Sequence, residues 1–192
     1  MLNLLSKSGI RRKIILLFVY NQEKEFFLSE IARQAKTSAG TAQRELNRLR
    51  AMDFVGFRKK GNLSLYRLNL GFSLLEEIEA IVRKTFGIEV ELGKELRRVK
   101  DISFAFIFGS YAKGSLKSGS DIDLYIVGRP DEDEVYRAVQ AVEETVGREI
   151  NYHIADEEEF ARKARTETFV SHIAAGPLMV LGKEDDFRKL IG

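Results

Sequence analysis

The stretch from Phe106 to Tyr125, FIFGSYAKGSLKSGSDIDLY, limits this chain more than any other. An apolar run meets Gly109-Ser110, a loop of small residues follows, and Asp121 and Asp123 bracket Ile122. Glycine and serine at a turn let backbone amides come close to a phosphate. Carboxylates two positions apart on a strand point to the same face, where they can share a hard cation such as Mg²⁺. The stretch therefore reads as a strand, a phosphate-handling turn and a metal-binding strand. An isolated Asp-x-Asp is usually just solvated; here the surrounding pattern gives it meaning.

Charge divides the chain. Its net charge is only +2, yet residues 1–70 carry 14 basic and 5 acidic side chains and the remainder 17 and 24. A basic first third joined to an acidic remainder suggests two domains with different partners, the basic part suited to a polyanion. There is no cysteine, which excludes disulfides and thiolate metal sites. The apolar run Ile14 to Tyr20 is too short to span a bilayer and follows Arg11-Arg12-Lys13, so a cytoplasmic location without membrane partners is expected.

In the first third, residues 10–20 read as a helix with a buried face. Glu25 to Leu28 is extended. Ser29 is positioned to cap a helix over Glu30 to Ala35, and a second helix runs from about Ala39 to Met52. Ala42, Leu46 and Leu49 face the core at helical spacing. The opposite face offers Thr41, Gln43, Arg44, Asn47 and Arg48, side chains able to reach base edges and phosphates. Val55 to Leu68 forms a hairpin about Gly61-Asn62, with Arg58, Lys59 and Lys60 on its first arm. Leu63, Leu65 and Arg67 share one face of the second arm, and Ser64, Tyr66 and Leu68 the other.

Helix, turn, helix and basic hairpin, over LSEIARQAKTSAGTAQRELNRLRAMDFVGFRKKGNLSLYRLN, resemble a winged helix-turn-helix domain. The resemblance implies that the helix near 39–52 enters the major groove of double-stranded DNA and that the hairpin is the wing.

A linker helix follows within 71–87, then a helix over Glu89 to Val99 and a strand over Ile102 to Phe108. Further strands are expected over Asp121 to Val127, Arg148 to Ala155 and Leu178 to Leu181. Helices are expected over Asp131 to Val146, from Asp156 onward, over Thr166 to Ala175 and over Glu184 to Ile191. On the third strand Ile150, Tyr152 and Ile154 alternate with Glu149, Asn151 and His153.

Residues 88–182, with Gly109-Ser110, a ten-residue spacer and Asp121-Ile122-Asp123-Leu124, resemble the nucleotidyltransferase superfamily that includes DNA polymerase beta, in its minimal form. The resemblance implies that Gly109 and Ser110, with Lys113 and Ser120 of the loop, hold nucleotide phosphates, and that Asp121 and Asp123 hold Mg²⁺ or Mn²⁺. Such domains usually carry a third carboxylate on a later strand. Its position here falls on Asn151, a neutral amide that cannot act as a base and is the weaker Mg²⁺ ligand. Glu149 or His153 can stand in for it.

The expected architecture is α+β: a winged helix-turn-helix domain over 1–70, a linker helix over 71–87, and a small mixed-sheet nucleotidyltransferase domain over 88–192. The expected chemistry is transfer of a nucleoside monophosphate from an NTP to a hydroxyl of a protein, small molecule or nucleic acid. Asp121, Asp123 and Glu149 would be catalytic, and Asn151 a metal position. The alternative is a transcriptional regulator whose transferase domain senses nucleotide, and a homodimer is compatible with either.

Overall fold

The computed structural model describes residues 8–113, 120–164 and 176–191. It divides into two compact units, Met1–Gly87 with Glu144–Gly147, and Ile88–Glu143 with Arg148–Gly192.

The first unit begins with α1 (Gly9–Tyr20), where the Ser8 hydroxyl accepts from Arg11 N. Every residue from Ile14 to Tyr20 is buried. β1 (Phe26–Phe27) leads into α2 (Leu28–Gln34). The expected Ser29 cap is not used. The Glu30 carboxylate instead accepts from Phe27 N at 2.7 Å, so the helix starts one residue before Ser29. α3 (Ala39–Ala51) does start at its serine, Ser38, whose hydroxyl accepts from Thr41 N at 3.3 Å. Beneath α3, the Glu45 carboxylate accepts from Arg11 Nε at 2.6 Å and from Arg48 Nη1 at 2.7 Å. Arg11 and Glu45 are both buried.

β2 (Val55–Lys60) and β3 (Leu63–Leu68) form the hairpin, with Lys60 opposite Leu63 and Gly61 at φ +60° in the turn. The sheet order is β1-β3-β2. β3 is therefore the central strand, and Leu65 and Tyr66, on opposite faces, are both buried. β1 pairs with the other edge of β3 through Phe26↔Tyr66 and Phe27↔Leu65. Leu63, near the tip, is more than half exposed. The last helix of this unit is α4 (Leu75–Phe86), whose Ile78, Val82 and Phe86 are buried.

The second unit is built on a four-stranded sheet of order β6-β5-β4-β7. Its strands are β4 (Ile102–Phe108), β5 (Ile122–Gly128), β6 (Ile150–Ala155) and β7 (Leu178–Leu181). β5 and β6 are parallel, and the other two pairings are antiparallel. The helices among its described residues are α5 (Ile88–Leu96), α6 (Gly109–Ala112), α7 (Glu132–Val146, whose last turn from Glu144 counts with the first unit), α8 (Glu157–Ala164) and α9 (Glu184–Ile191). One sheet face carries an aromatic core in which Phe106 and Tyr125 meet Phe160 of α8 and Phe187 of α9. Phe106 stacks on Tyr125 with planes 6° apart and lies 4.8 Å from Phe187 between ring centroids. On the other face Ile107, Leu124 and Ile126 are fully buried. The helix expected over Thr166 to Ala175 lies outside the described residues. No described helix is long and apolar enough to cross a membrane.

Candidate active site

The site lies where β4 ends and β5 begins. Phe108, the last residue of β4, is paired with Asp123 of β5. The chain then turns sharply through Gly109, at φ +72°, into α6. A Cβ on Gly109 would stand 2.4 Å from Asp123 Oδ2. The turn and the carboxylate are thus in direct contact, and a side chain at position 109 is excluded both by backbone strain and by Asp123.

On its other side Asp123 is in register with Asn151 of the parallel strand β6. Asn151 Nδ2 donates to Asp121 Oδ2 at 3.0 Å. Asp121 sits one residue before β5, not within it as expected. The neighbouring Ile122 N donates to Glu149 O at 3.0 Å, which ties the start of β5 to the approach of β6. Asp121, Asp123 and Asn151 are therefore one cluster. It offers two carboxylates and an amide oxygen, hard donors that suit Mg²⁺ or Mn²⁺.

The remaining expected residues fall around this cluster. Glu149 is exposed and precedes β6. His153 is exposed, in register with Tyr125, with ring centroids 6.0 Å apart. Among the described residues, no group of three His, Cys, Asp or Glu side chains could hold a metal ion. Glu149 and His153 thus do not complete such a trio with the two aspartates. Ser110 lies in the first turn of α6, and the exposed Lys113 caps it, its amide donating to Gly109 O at 3.3 Å. Lys117, also in the expected loop, lies outside the described residues.

Sequence reasoning missed one constituent, Arg148. Its side chain is buried at the mouth of β6, and Nη2 donates to the Ser120 carbonyl and lies 3.4 Å from Ser120 Oγ. Burial lowers its pKa, and the charge of Asp121 acts in the opposite direction. A buried arginine at a strand entrance is a detectable signal only once the strand's burial is known. A second missed contact braces α6: buried Tyr111 donates its hydroxyl to Glu89 Oε1 of α5 at 3.0 Å.

Comparison with known proteins bears on this unit. Residues 91–168 match the family model Polymerase beta, Nucleotidyltransferase. The matched stretch contains both aspartates, Gly109 and Asn151. Among solved structures, a toxin-antitoxin complex with AMP-PNP is similar at 17% identity and TM-score 0.41, over 54% of this chain and 80% of that one. A tri-AMPylated Shewanella oneidensis HEPN toxin in complex with MNT antitoxin is similar at 15% identity and TM-score 0.37, over 54% and 77%. The MntA-HepT toxin-antitoxin complex is similar at 14% identity and TM-score 0.36, over 54% and 78%. A search of curated proteins gave no match.

The expected DNA-facing residues belong to the first unit. Arg44, Asn47, Arg48, Arg58, Lys59 and Lys60 are exposed, and Thr41 and Gln43 are half-buried. Several are already engaged. Gln43 Nε2 donates to Tyr66 OH at 2.8 Å and to Asn47 Oδ1 at 3.0 Å. Arg44 Nη2 donates to Thr41 Oγ1 at 3.1 Å. Arg48 pairs with Glu45, and Arg58 with Glu25.

Proposed function

We propose that residues 88–192 transfer a nucleoside monophosphate from an NTP to a hydroxyl acceptor. The observation that carries this reading is the Asp121–Asp123 pair with Gly109 pressed against Asp123, inside the nucleotidyltransferase match. The acceptor oxygen forms a bond to the α-phosphorus, the bond from that phosphorus to the β-bridging oxygen breaks, and pyrophosphate leaves with the bonding pair. The acceptor proton passes to solvent. Asp121 and Asp123 would hold a divalent cation, with Asn151 contributing its amide oxygen. When bound, that cation supplies charge neutralisation at the phosphates. The Gly109-Ser110 turn admits phosphate oxygens to backbone amides, and Lys113 and Ser120 flank it. Glu149 is the remaining carboxylate of the approach to β6.

A second reading is favoured by one specific observation. Asn151, in register with Asp123, donates its amide to Asp121 where a third carboxylate would otherwise stand. On this reading the domain binds NTP and metal and turns over slowly or not at all, serving as a nucleotide sensor. Incubation with each labelled NTP and Mg²⁺ separates the two. Label transfer or pyrophosphate release that disappears in the Asp121→Ala/Asp123→Ala variant supports the enzyme. Tight binding without turnover supports the sensor, and no binding removes both.

For residues 1–70 the proposed role is that of a winged helix-turn-helix domain on double-stranded DNA, with α3 reading the groove, β2–β3 as the wing, and 71–87 as linker. The basic excess of this segment and the exposed Arg44, Asn47, Lys59 and Lys60 support it. Binding that weakens steeply with salt and with Arg44→Ala is the expected result. Binding of a protein in place of DNA would overturn it.

A further inference from the structure

The hairpin and α3 are joined by an amide and a hydroxyl. Tyr66, on the central strand β3, is 1% exposed, and a buried phenol needs a hydrogen-bond partner. Gln43 of α3 supplies it with both ends of its amide. Nε2 donates to the Tyr66 hydroxyl at 2.8 Å, and Oε1 accepts from that hydroxyl at 3.1 Å. The same Nε2 donates to Asn47 Oδ1 at 3.0 Å. A glutamine that reads adenine offers its Nε2 and Oε1 together to the base edge. In Gln43 those two atoms are engaged within the unit, and withdrawing them would strand the hydroxyl of a buried tyrosine.

A second tie runs beside the first. Phe57 of β2 is paired with Tyr66, their ring centroids 5.2 Å apart, and the Arg50 guanidinium of α3 lies over the Phe57 ring at 4.3 Å. Side chains alternate along a strand, so the exposed Lys59, in register with Ser64, shares the face of the hairpin that meets α3. Arg58 belongs to the other face, where its guanidinium donates to both carboxylate oxygens of Glu25. Of these two neighbours, Lys59 is the one carried beside the helix.

We propose, on the DNA reading given above for residues 1–70, that Gln43 is a positioning residue and not a reader of bases. Through Tyr66 it locks the wing against α3, so that Lys59 of the wing and the exposed Arg44 of the helix form one phosphate-binding surface on double-stranded DNA. Gln43 thereby loses the base contact that its residue type suggests and gains a part in how firmly the duplex is held.

The test is fluorescence anisotropy of the full chain with a short labelled duplex of randomised sequence, over a series of salt concentrations, with melting curves to confirm folding. Gln43 is uncharged. If it only touched a base, its loss would leave the slope of log affinity against log salt where it was. As a positioning residue, Gln43→Ala is expected to reduce that slope by about one, as Lys59 leaves its phosphate. Binding should weaken by about threefold, the scale of one exposed ion pair. Tyr66→Phe, which keeps the ring and removes the hydroxyl, should do the same. Lys59→Ala should match both, and adding Gln43→Ala to it should change the slope no further. The sequences that the wild type and Gln43→Ala recover from the randomised pool should agree.

An unchanged slope in Gln43→Ala, a changed base preference in the recovered sequences, or effects additive with Lys59→Ala overturns the proposal. Should Gln43→Ala not fold, Tyr66→Phe decides by the same criteria. A wild type that binds no duplex removes the DNA reading and the role of Gln43 with it. A wild type that binds with steep salt dependence, beside Gln43→Ala and Tyr66→Phe variants of unaltered slope, leaves the DNA reading standing and removes only the role of Gln43.

Discussion

Replacing Gly109 by alanine should impair the site in a way that can be divided into two parts. The first is backbone strain. Gly109 has φ +72°, and a residue with a Cβ there costs about 1–2 kcal/mol. The second is collision. The new Cβ would lie 2.4 Å from Asp123 Oδ2, whereas ordinary contact begins about 1 Å farther out, so the carboxylate must move by roughly that amount. A 1 Å misplacement of a reacting group costs on the order of 100-fold in rate. Gly61 supplies the control. It has φ +60° with nothing within 4 Å of an added Cβ, so Gly61→Ala carries the strain without the collision. Both variants should lose about 1–2 kcal/mol in urea unfolding of the unit concerned. Only Gly109→Ala should also lose about 100-fold in kcat/KM for pyrophosphate release, together with Mn²⁺ affinity measured beside a non-hydrolysable ATP analogue. If Gly109→Ala binds Mn²⁺ and nucleotide like the wild type, the contact with Asp123 is not what shapes the site.

Other changes address other parts of the chain. Glu45→Ala leaves the buried Arg11 guanidinium without its carboxylate and should destabilise the first unit by about 3–5 kcal/mol in urea unfolding. Arg44→Ala should weaken DNA binding and reduce the slope of log affinity against log salt by about one. Asn151→Asp should raise turnover if position 151 is the third ligand position, and unchanged turnover measured by pyrophosphate release would count against that placement. Asp156 caps α8 through the amide of Glu159 and pairs with Arg129, and these contacts hold its carboxyl below its usual range. Because the folded pKa is depressed, this stabilisation is present above the unfolded carboxylate value and disappears as pH falls through the folded one. Asp156→Ala should accordingly lower the melting temperature at neutral pH, with the difference from wild type vanishing in strong acid.

Much of this was legible in the chain itself because local rules act over a few residues. Apart from α6, the described elements from α1 to β7 followed from periodicity and turn residues, and the strand–Gly-Ser–Asp-x-Asp pattern singled out the two aspartates. Failures came where tertiary partners outweighed local chemistry. Ser29 was a sound cap by type, but the Glu30 carboxylate reached back to Phe27 N and moved the helix start. That β1 pairs along the other edge of β3, through Phe26↔Tyr66, was not foreseen, because the two segments are far apart in sequence. Asn151 was flagged only through the family resemblance, and its hydrogen bond to Asp121 depends on the parallel register of β5 and β6. Arg148 went unnoticed for a related reason: arginines are normally exposed, and only the fold buries this one at the Ser120 carbonyl.

The most direct measurement is a crystal structure of the chain soaked with a non-hydrolysable NTP and Mg²⁺. The account predicts the ion between the Asp121 and Asp123 carboxylates, the amide oxygen of Asn151 turned toward it, and the β- and γ-phosphates against the backbone of Gly109 and Ser110. A nucleotide bound elsewhere, or an ion held by Glu149 and His153 with Asp121 and Asp123 left aside, would contradict it.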